Sequence, residues 1–247
     1  CVELMTGALI PEQFDTIIPI EKIKHFPNKK KPKFIIIDKK ISKNNYVRFA
    51  GSDFKKGDKI ISKGEIINSS NILAFKSLGV EKIVVKKKPL IIFYSTGNEI
   101  SEKAIIPNWK VRNSNSYYIK SLSKNLFFDI FDGGILRDDE DKLFKRIIAK
   151  NFKSKYDIII TNGAVSAGKF DFVPKILKKF KLSKYFKGVA IRPGKPIMFA
   201  KFKNKEKSFF GLPGNPISAA ACFRFFVYPY LLNILGAKPE KSFKAKL

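Results

Sequence analysis

A chain of 247 residues with 45% hydrophobic and 13% aromatic content can build packed cores for one large or two modest domains. Its formal net charge of +28 rests mainly on lysine spread through nearly every polar segment, a pattern that argues against a nucleic-acid stripe and for a general preference for anionic ligands. Two cysteines, Cys1 and Cys222, exclude a disulfide framework, and no run of about 18 uncharged apolar residues marks a membrane span, because the best stretch carries Arg224 and Pro229.

A cytoplasmic, globular protein is therefore the expectation, and the start on Cys1 without a leader pattern reads as a fragment of a longer protein. Residues 1–50 mix short apolar runs at 16–20, 34–37 and 46–49 with Pro- and Lys-rich turns, as short strands of a β-rich module would. In residues 51–87, Asn68-Ser69-Ser70 is expected to cap a short helix ending near Gly79, with EKIVVKK (81–87) following as a strand.

From Pro89 onward, apolar strands alternate with amphipathic helices. PLIIFYS (89–95), FFDIF (127–131), YDIIIT (156–161), GVAIR (188–192), PIMFAKF (196–202) and SFFGL (208–212) read as strands. SYYIKSLSKNL (116–126), the run at 139–152, DFVPKILKKF (171–180) and residues 216–235 read as helices. Such alternation predicts an α/β fold with a doubly wound, mainly parallel sheet over 88–235. The tail 236–247 would begin a further domain.

In that architecture a ligand lies beyond the carboxyl ends of the strands, so the segment after each strand is informative. STGNE supplies Glu99, DGGILRDDE supplies Asp138, NGAVSAGKFD supplies Ser166 and Asp171, and RPGKP supplies Arg192 and Lys195. Gly163 and Gly168 let backbone N–H groups turn toward a phosphate, although a plain Gly-rich turn explains the loop equally well. Arg192 and Lys195 suit a tetrahedral oxyanion as a two-cation clip, or form a solvated turn.

Glu99, Asp138 and Asp171 near an anion call for a divalent cation such as Mg²⁺ between them, the alternative being helix capping. In GLPGNP (211–216), Gly214 turns the chain, Asn215 caps, and Pro216 takes the first helical position, so that the helix start faces the same edge. His25 reads as a surface residue, which disfavours Ser-His and Cys-His mechanisms. Cys222 reads as core, and Trp109 as a packing anchor in preference to a stacking platform.

Seven motifs in order, MTGALIPEQFDTIIPIE (5–21), STGNE, VRNSNSY (111–117), GGILRDDED (133–141), TNGAVSAGKFDFV (161–173), GVAIRPGKPIMFA (188–200) and GLPGNPISAA (211–220), resemble the molybdopterin molybdenumtransferase family, MoeA and the gephyrin E domain. The resemblance implies the end of an inserted β-rich domain at 1–50, a returning part of an elongated domain at 51–87, and a MogA-like domain at 88–235. It also implies a truncated C-terminal β domain at 236–247.

It further implies insertion of molybdenum from molybdate into adenylated molybdopterin with release of AMP, Mg²⁺ dependence, and a homodimer that works beside other molybdenum-cofactor biosynthesis proteins. Thr6 would face the partner subunit's pocket, with Glu99, Asp138 and Asp171 as the acidic set. Ser166, Arg192 and Lys195 would form the molybdate pocket; residues 163–168 would hold the pterin phosphate, and Pro213, Gly214, Asn215 and Pro216 one pocket wall.

Many members carry Lys where this chain has Gly188, so Lys187 is a substitute only through a local shift. A MogA-like adenylyltransferase and a non-enzymatic pterin-binding scaffold are the alternatives. Molybdenum and tungsten are not distinguished, since their oxyanions share shape and charge.

Overall fold

The computed structural model describes residues 1–126, 128–137, 155–163, 182–202 and 207–241. The chain divides into two compact units, Cys1–Ile60 and Ile61–Leu247. In the first, β1 (Lys24–Phe26) pairs antiparallel with β2 (Phe34–Ile36), and half-buried His25 lies opposite Ile35.

The expected strands at 16–20 and 46–49 do not form. Asn44 and Tyr46 sit at φ 64° and 55°, left-handed values that turn the chain instead of extending it. Beside that turn, the Ile17 N–H reaches the Asn45 carbonyl at 3.0 Å.

The second unit opens with α1 (Ser69–Ser77), capped as expected by Asn68. The Asn68 side chain accepts from the Asn71 N–H, and the Asn71 side chain accepts from the Asn68 N–H, a reciprocal box with Asn in the usual Glu position. The strand expected at 81–87 is absent. Val84 and Val85 are exposed, and β-branched residues extend a chain without supplying a neighbour to pair with.

Next come β3 (Leu90–Thr96), the short parallel pair β4 (Ile100–Ser101) and β5 (Val111–Arg112), and α2 (Ser114–Leu126). β6 (Asp129–Leu136), β7 (Ile158–Asn162), β8 (Leu182–Lys187), β9 (Met198–Phe202) and β10 (Ser208–Leu212) follow. A nearly continuous helix closes the unit: α3 (Pro216–Cys222), a π-helical turn (Phe223–Val227) and α4 (Tyr228–Leu235).

One sheet has the order β6-β3-β7-β10-β9-β8, in which β6, β3, β7 and β10 are parallel, β9 runs against β10, and β8, antiparallel to β9, runs in the direction of the parallel set. From β3 the chain moves outward to β6, then crosses to β7 on the other side, so the strand order reverses between β3 and β7. A crevice at the carboxyl ends of that pair is where such a sheet accepts a ligand.

Continuous apolar runs explain the central strands. Ile91, Phe93, Ile158, Ile160 and Phe210 form one face of the core with Ile119 of α2 and with Phe223, Val227 and Leu231. Ile92, Ile159 and Phe209, which alternate with them, are equally buried, as a sheet closed on both faces requires. By length and composition Pro216–Leu235 could cross a bilayer, but Ala219, Cys222, Phe223, Val227 and Leu231 lie in the core at helical spacing.

β6 outruns its predicted end at 131 and continues to Leu136 through Gly133 and Gly134. A Cβ on Gly133 would overlap the Tyr94 ring of β3, so only glycine lets the strands stay paired there. GVAIR is not a strand: Leu182–Lys187 pairs with β9, and residues 188–197 are the loop between them. Trp109 is 65% exposed and anchors no core.

Candidate functional site

Register fixes which loops share an edge. Ser95 lies beside Asn162, Asn162 beside Leu212, Gly211 beside Met198 and Met198 beside Lys187. The segments after β3, β7 and β10 and the β8–β9 loop therefore leave the sheet on one side. They carry Glu99, Gly163, Pro213-Gly214-Asn215-Pro216, and Lys187 with Arg192 and Lys195. Asp138, Ser166, Gly168 and Asp171 lie outside the described residues. Thr6 belongs to the first unit, exposed on a turn closed by Ala8 N–H to Met5 O at 3.0 Å.

A hydrogen-bond network, whose side-chain donors Thr96, Asn115 and Asn162 were assigned no role from the sequence, joins these loops. Asn115, the second residue of α2, is buried; its Nδ2 donates to Asn162 Oδ1 at 3.0 Å and to the Gly214 carbonyl at 2.8 Å. Asn162 Nδ2 donates to the Pro213 carbonyl at 2.5 Å, and Thr96 Oγ1 donates to the Asn162 carbonyl at 2.8 Å. One side-chain layer thus ties the ends of β3, β7 and β10 to the start of α2. Burial raises the cost of breaking any of these bonds, because the group left behind cannot turn to water.

Gly163 sits inside this layer at φ 92°, its N–H on the Leu212 carbonyl at 2.9 Å. A Cβ there would come within 2.6 Å of both the Thr96 carbonyl oxygen and Thr96 Oγ1, so glycine is required by backbone angle and by space. The GLPGNP segment behaves as a helix start: Asn215 accepts the Ser218 N–H at 3.2 Å and Pro216 occupies the first turn. Pro213 is buried and Gly214 exposed.

Arg192 and Lys195 are both exposed on the β8–β9 loop, and the Arg192–Pro193 peptide is cis. The loop is closed by Val189 N–H to Lys195 O at 2.9 Å and by Gly188 N–H to Ile197 O at 2.7 Å. From below, the Cys222 thiol donates to the Gly194 carbonyl at 3.3 Å.

Burial pushes the Cys222 thiol up from its ordinary 9.0 to about 11, so it remains a donor at neutral pH. The folded value exceeds the unfolded one, so stability from this group is complete below pH 9 and falls as pH rises toward 11. The urea midpoint of the wild-type chain should therefore fall more between pH 8 and pH 10.5 than that of Cys222→Ala. Parallel decreases in the two proteins would contradict the buried-thiol assignment.

Glu99 is exposed in the turn after β3, and its carboxylate has no hydrogen bond or ion pair among the described residues. It packs back over Gly97, whose φ of 140° and lack of a Cβ leave room for it. No three His, Cys, Asp or Glu side chains cluster as metal ligands among the described residues. One carboxylate at the edge, without a partner among the described residues, still fits Mg²⁺, which takes one or two carboxylates and completes its shell with phosphate oxygens and water.

Residues 92–233 match the family described as a probable molybdopterin binding domain, and residues 1–79 match the MoeA N-terminal region, domains I and II. The chain is 33% identical over 240 residues to a molybdopterin molybdenumtransferase of Staphylococcus aureus strain Mu50, covering 96% of this chain and 54% of that protein. It is 32% identical over 242 residues to the Haemophilus influenzae enzyme of the same name, covering 98% and 58%.

A crystal structure of a Pyrococcus horikoshii MoeA molybdopterin biosynthesis protein superposes with a TM-score of 0.73 at 28% identity, over 94% of this chain and 56% of that one. The chain spans about half the length of these relatives. The sheet, its switch point and both family matches lead to one conclusion: the chain belongs to the MoeA family, whose probable molybdopterin binding domain makes up most of it.

Proposed function

We propose that this chain carries the pterin and oxyanion site of a molybdopterin molybdenumtransferase, which inserts molybdenum from molybdate into adenylated molybdopterin and releases AMP. The observation that carries the reading is the common edge: a carboxylate, a glycine-led loop, a two-cation loop and a capped helix start all leave the sheet on the side where the topological switch point opens. Phosphoryl release of this kind needs positioned charge and no covalent nucleophile. A site rich in acids, cations and glycines, with no histidine described at that edge, suits it.

In this reading residues 163–168 hold the pterin phosphate, with Ser166 and Gly168 in that loop, and Pro213 to Pro216 form the opposite wall. Arg192 and Lys195, with Ser166, hold molybdate; Lys187, at the end of β8, stands in for the lysine missing at Gly188. Glu99, Asp138 and Asp171 hold Mg²⁺, which when bound offsets the charge of the phosphates. Thr6 closes the site of the partner subunit in a cytoplasmic homodimer. Residues 1–50, 51–87, 88–235 and 236–247 correspond to the four domain segments the resemblance implies.

The two-cation clip is testable alone. Arg192→Met with Lys195→Met should weaken molybdate binding by isothermal titration at least about tenfold, since each charged hydrogen bond contributes roughly 1.5–3 kcal/mol. Unchanged affinity would remove both residues from the molybdate pocket.

A further inference from the structure

Arg137 directly follows β6, yet neither the sequence motifs nor the proposed chemistry gives it a task. Its Nη1 donates to the carbonyls of Asn98 at 3.0 Å and Ile100 at 3.1 Å, with a longer approach to Gly97 at 3.5 Å. Those three residues surround Glu99. The same turn is held on the backbone side by Gly97 N–H to Leu136 O at 3.0 Å and by Val111 N–H to Glu99 O at 2.9 Å.

A turn whose carbonyls converge on one point repels itself unless a cation sits there, and a planar guanidinium supplies several donors from a single group. An unpaired Glu99 carboxylate on a loose turn would spread over many positions. On a turn drawn in by a guanidinium it is confined before any ligand arrives, which reduces the ordering cost of binding.

We propose that Arg137 is a positioning residue for Glu99: it draws the carbonyls of residues 97, 98 and 100 around its guanidinium and so holds the turn that carries Glu99. This rests on the role proposed above for Glu99.

The experiment is amide hydrogen exchange on the 247-residue chain, combined with Mg²⁺-dependent AMP binding, for wild type, Arg137→Met, Arg137→Lys, Glu99→Gln and the Arg137→Met/Glu99→Gln double variant. In Arg137→Met, the Gly97 and Val111 amides should exchange about tenfold faster or more, while Ile160 and Phe210 in the sheet are unchanged. AMP binding should weaken about tenfold when Glu99 is present and less than twofold when it is already Gln, with Arg137→Lys recovering part of the loss.

Unchanged exchange at Gly97 and Val111, or an equal loss of AMP affinity in both backgrounds, would overturn the proposal. A wild-type chain that binds no AMP would count against the functional reading alone, and the exchange result would still decide the role of Arg137.

Discussion

Glu99→Gln is expected to lower Mg²⁺-dependent release of AMP from adenylated molybdopterin by roughly 10²–10³-fold while leaving thermal stability nearly unchanged. The substitution preserves size and removes the charge. Because Glu99 is exposed and its carboxylate has no partner among the described residues, the fold loses nothing by it. The measurement is AMP release in the 247-residue chain and in any longer reading frame that contains it, with a melting curve alongside. Release within threefold of wild type would remove Glu99 from the chemistry. A Tm lowered by several degrees would show instead that the carboxylate supports the turn.

Gly163→Ala should damage stability and binding together. At φ 92° an Ala pays for a left-handed backbone, and its Cβ would press on Thr96, whose hydroxyl ties the end of β3 to the Asn162 carbonyl. The two effects sum to roughly 2–5 kcal/mol. At about 2–4 °C per kcal/mol for a chain of this size, Tm should fall by roughly 4–20 °C. Pterin affinity should fall in the same variant, because Gly163 opens the loop assigned to the phosphate. Native Tm in Gly163→Ala would mean that the loop is slack enough to yield, and the rigid layer built on Asn115 and Asn162 would then have to be reconsidered.

Local signals carried much of the fold. The cap at Asn68, the Asn215-Pro216 helix start, the buried strands at 90–96 and 208–212 and the core position of Cys222 depend on neighbours within a few residues or on uninterrupted apolar runs. What needed a distant partner was hidden. EKIVVKK has the composition of a strand and nothing beside it, whereas LSKYFK (182–187) looks like a polar surface and becomes a strand because β9 offers it a ladder.

Arg192 and Lys195 illustrate the same limit. RPGKP reads as the direct sequel to a strand GVAIR; it lies instead in the loop of the antiparallel β8–β9 hairpin, which leaves the sheet at the same edge because β8 runs in the direction of β10. Asn115, Asn162 and Arg137 were within the quoted motifs but unmarked, since their partners lie 37 to 99 residues away along the chain. An Asn directly after an apolar strand, as in TNG, is the one signal that pointed to such a layer.

The central claim is molybdenum insertion at this edge, and the adenylyltransferase and scaffold readings differ from it in what they consume. The most direct measurement is to supply adenylated molybdopterin, molybdate and Mg²⁺ to the purified protein and follow AMP and pterin-bound molybdenum together. The account predicts AMP release that depends on Mg²⁺ and yields one bound molybdenum per AMP. Absence of both products, with molybdopterin and ATP instead converted to the adenylate, would contradict it.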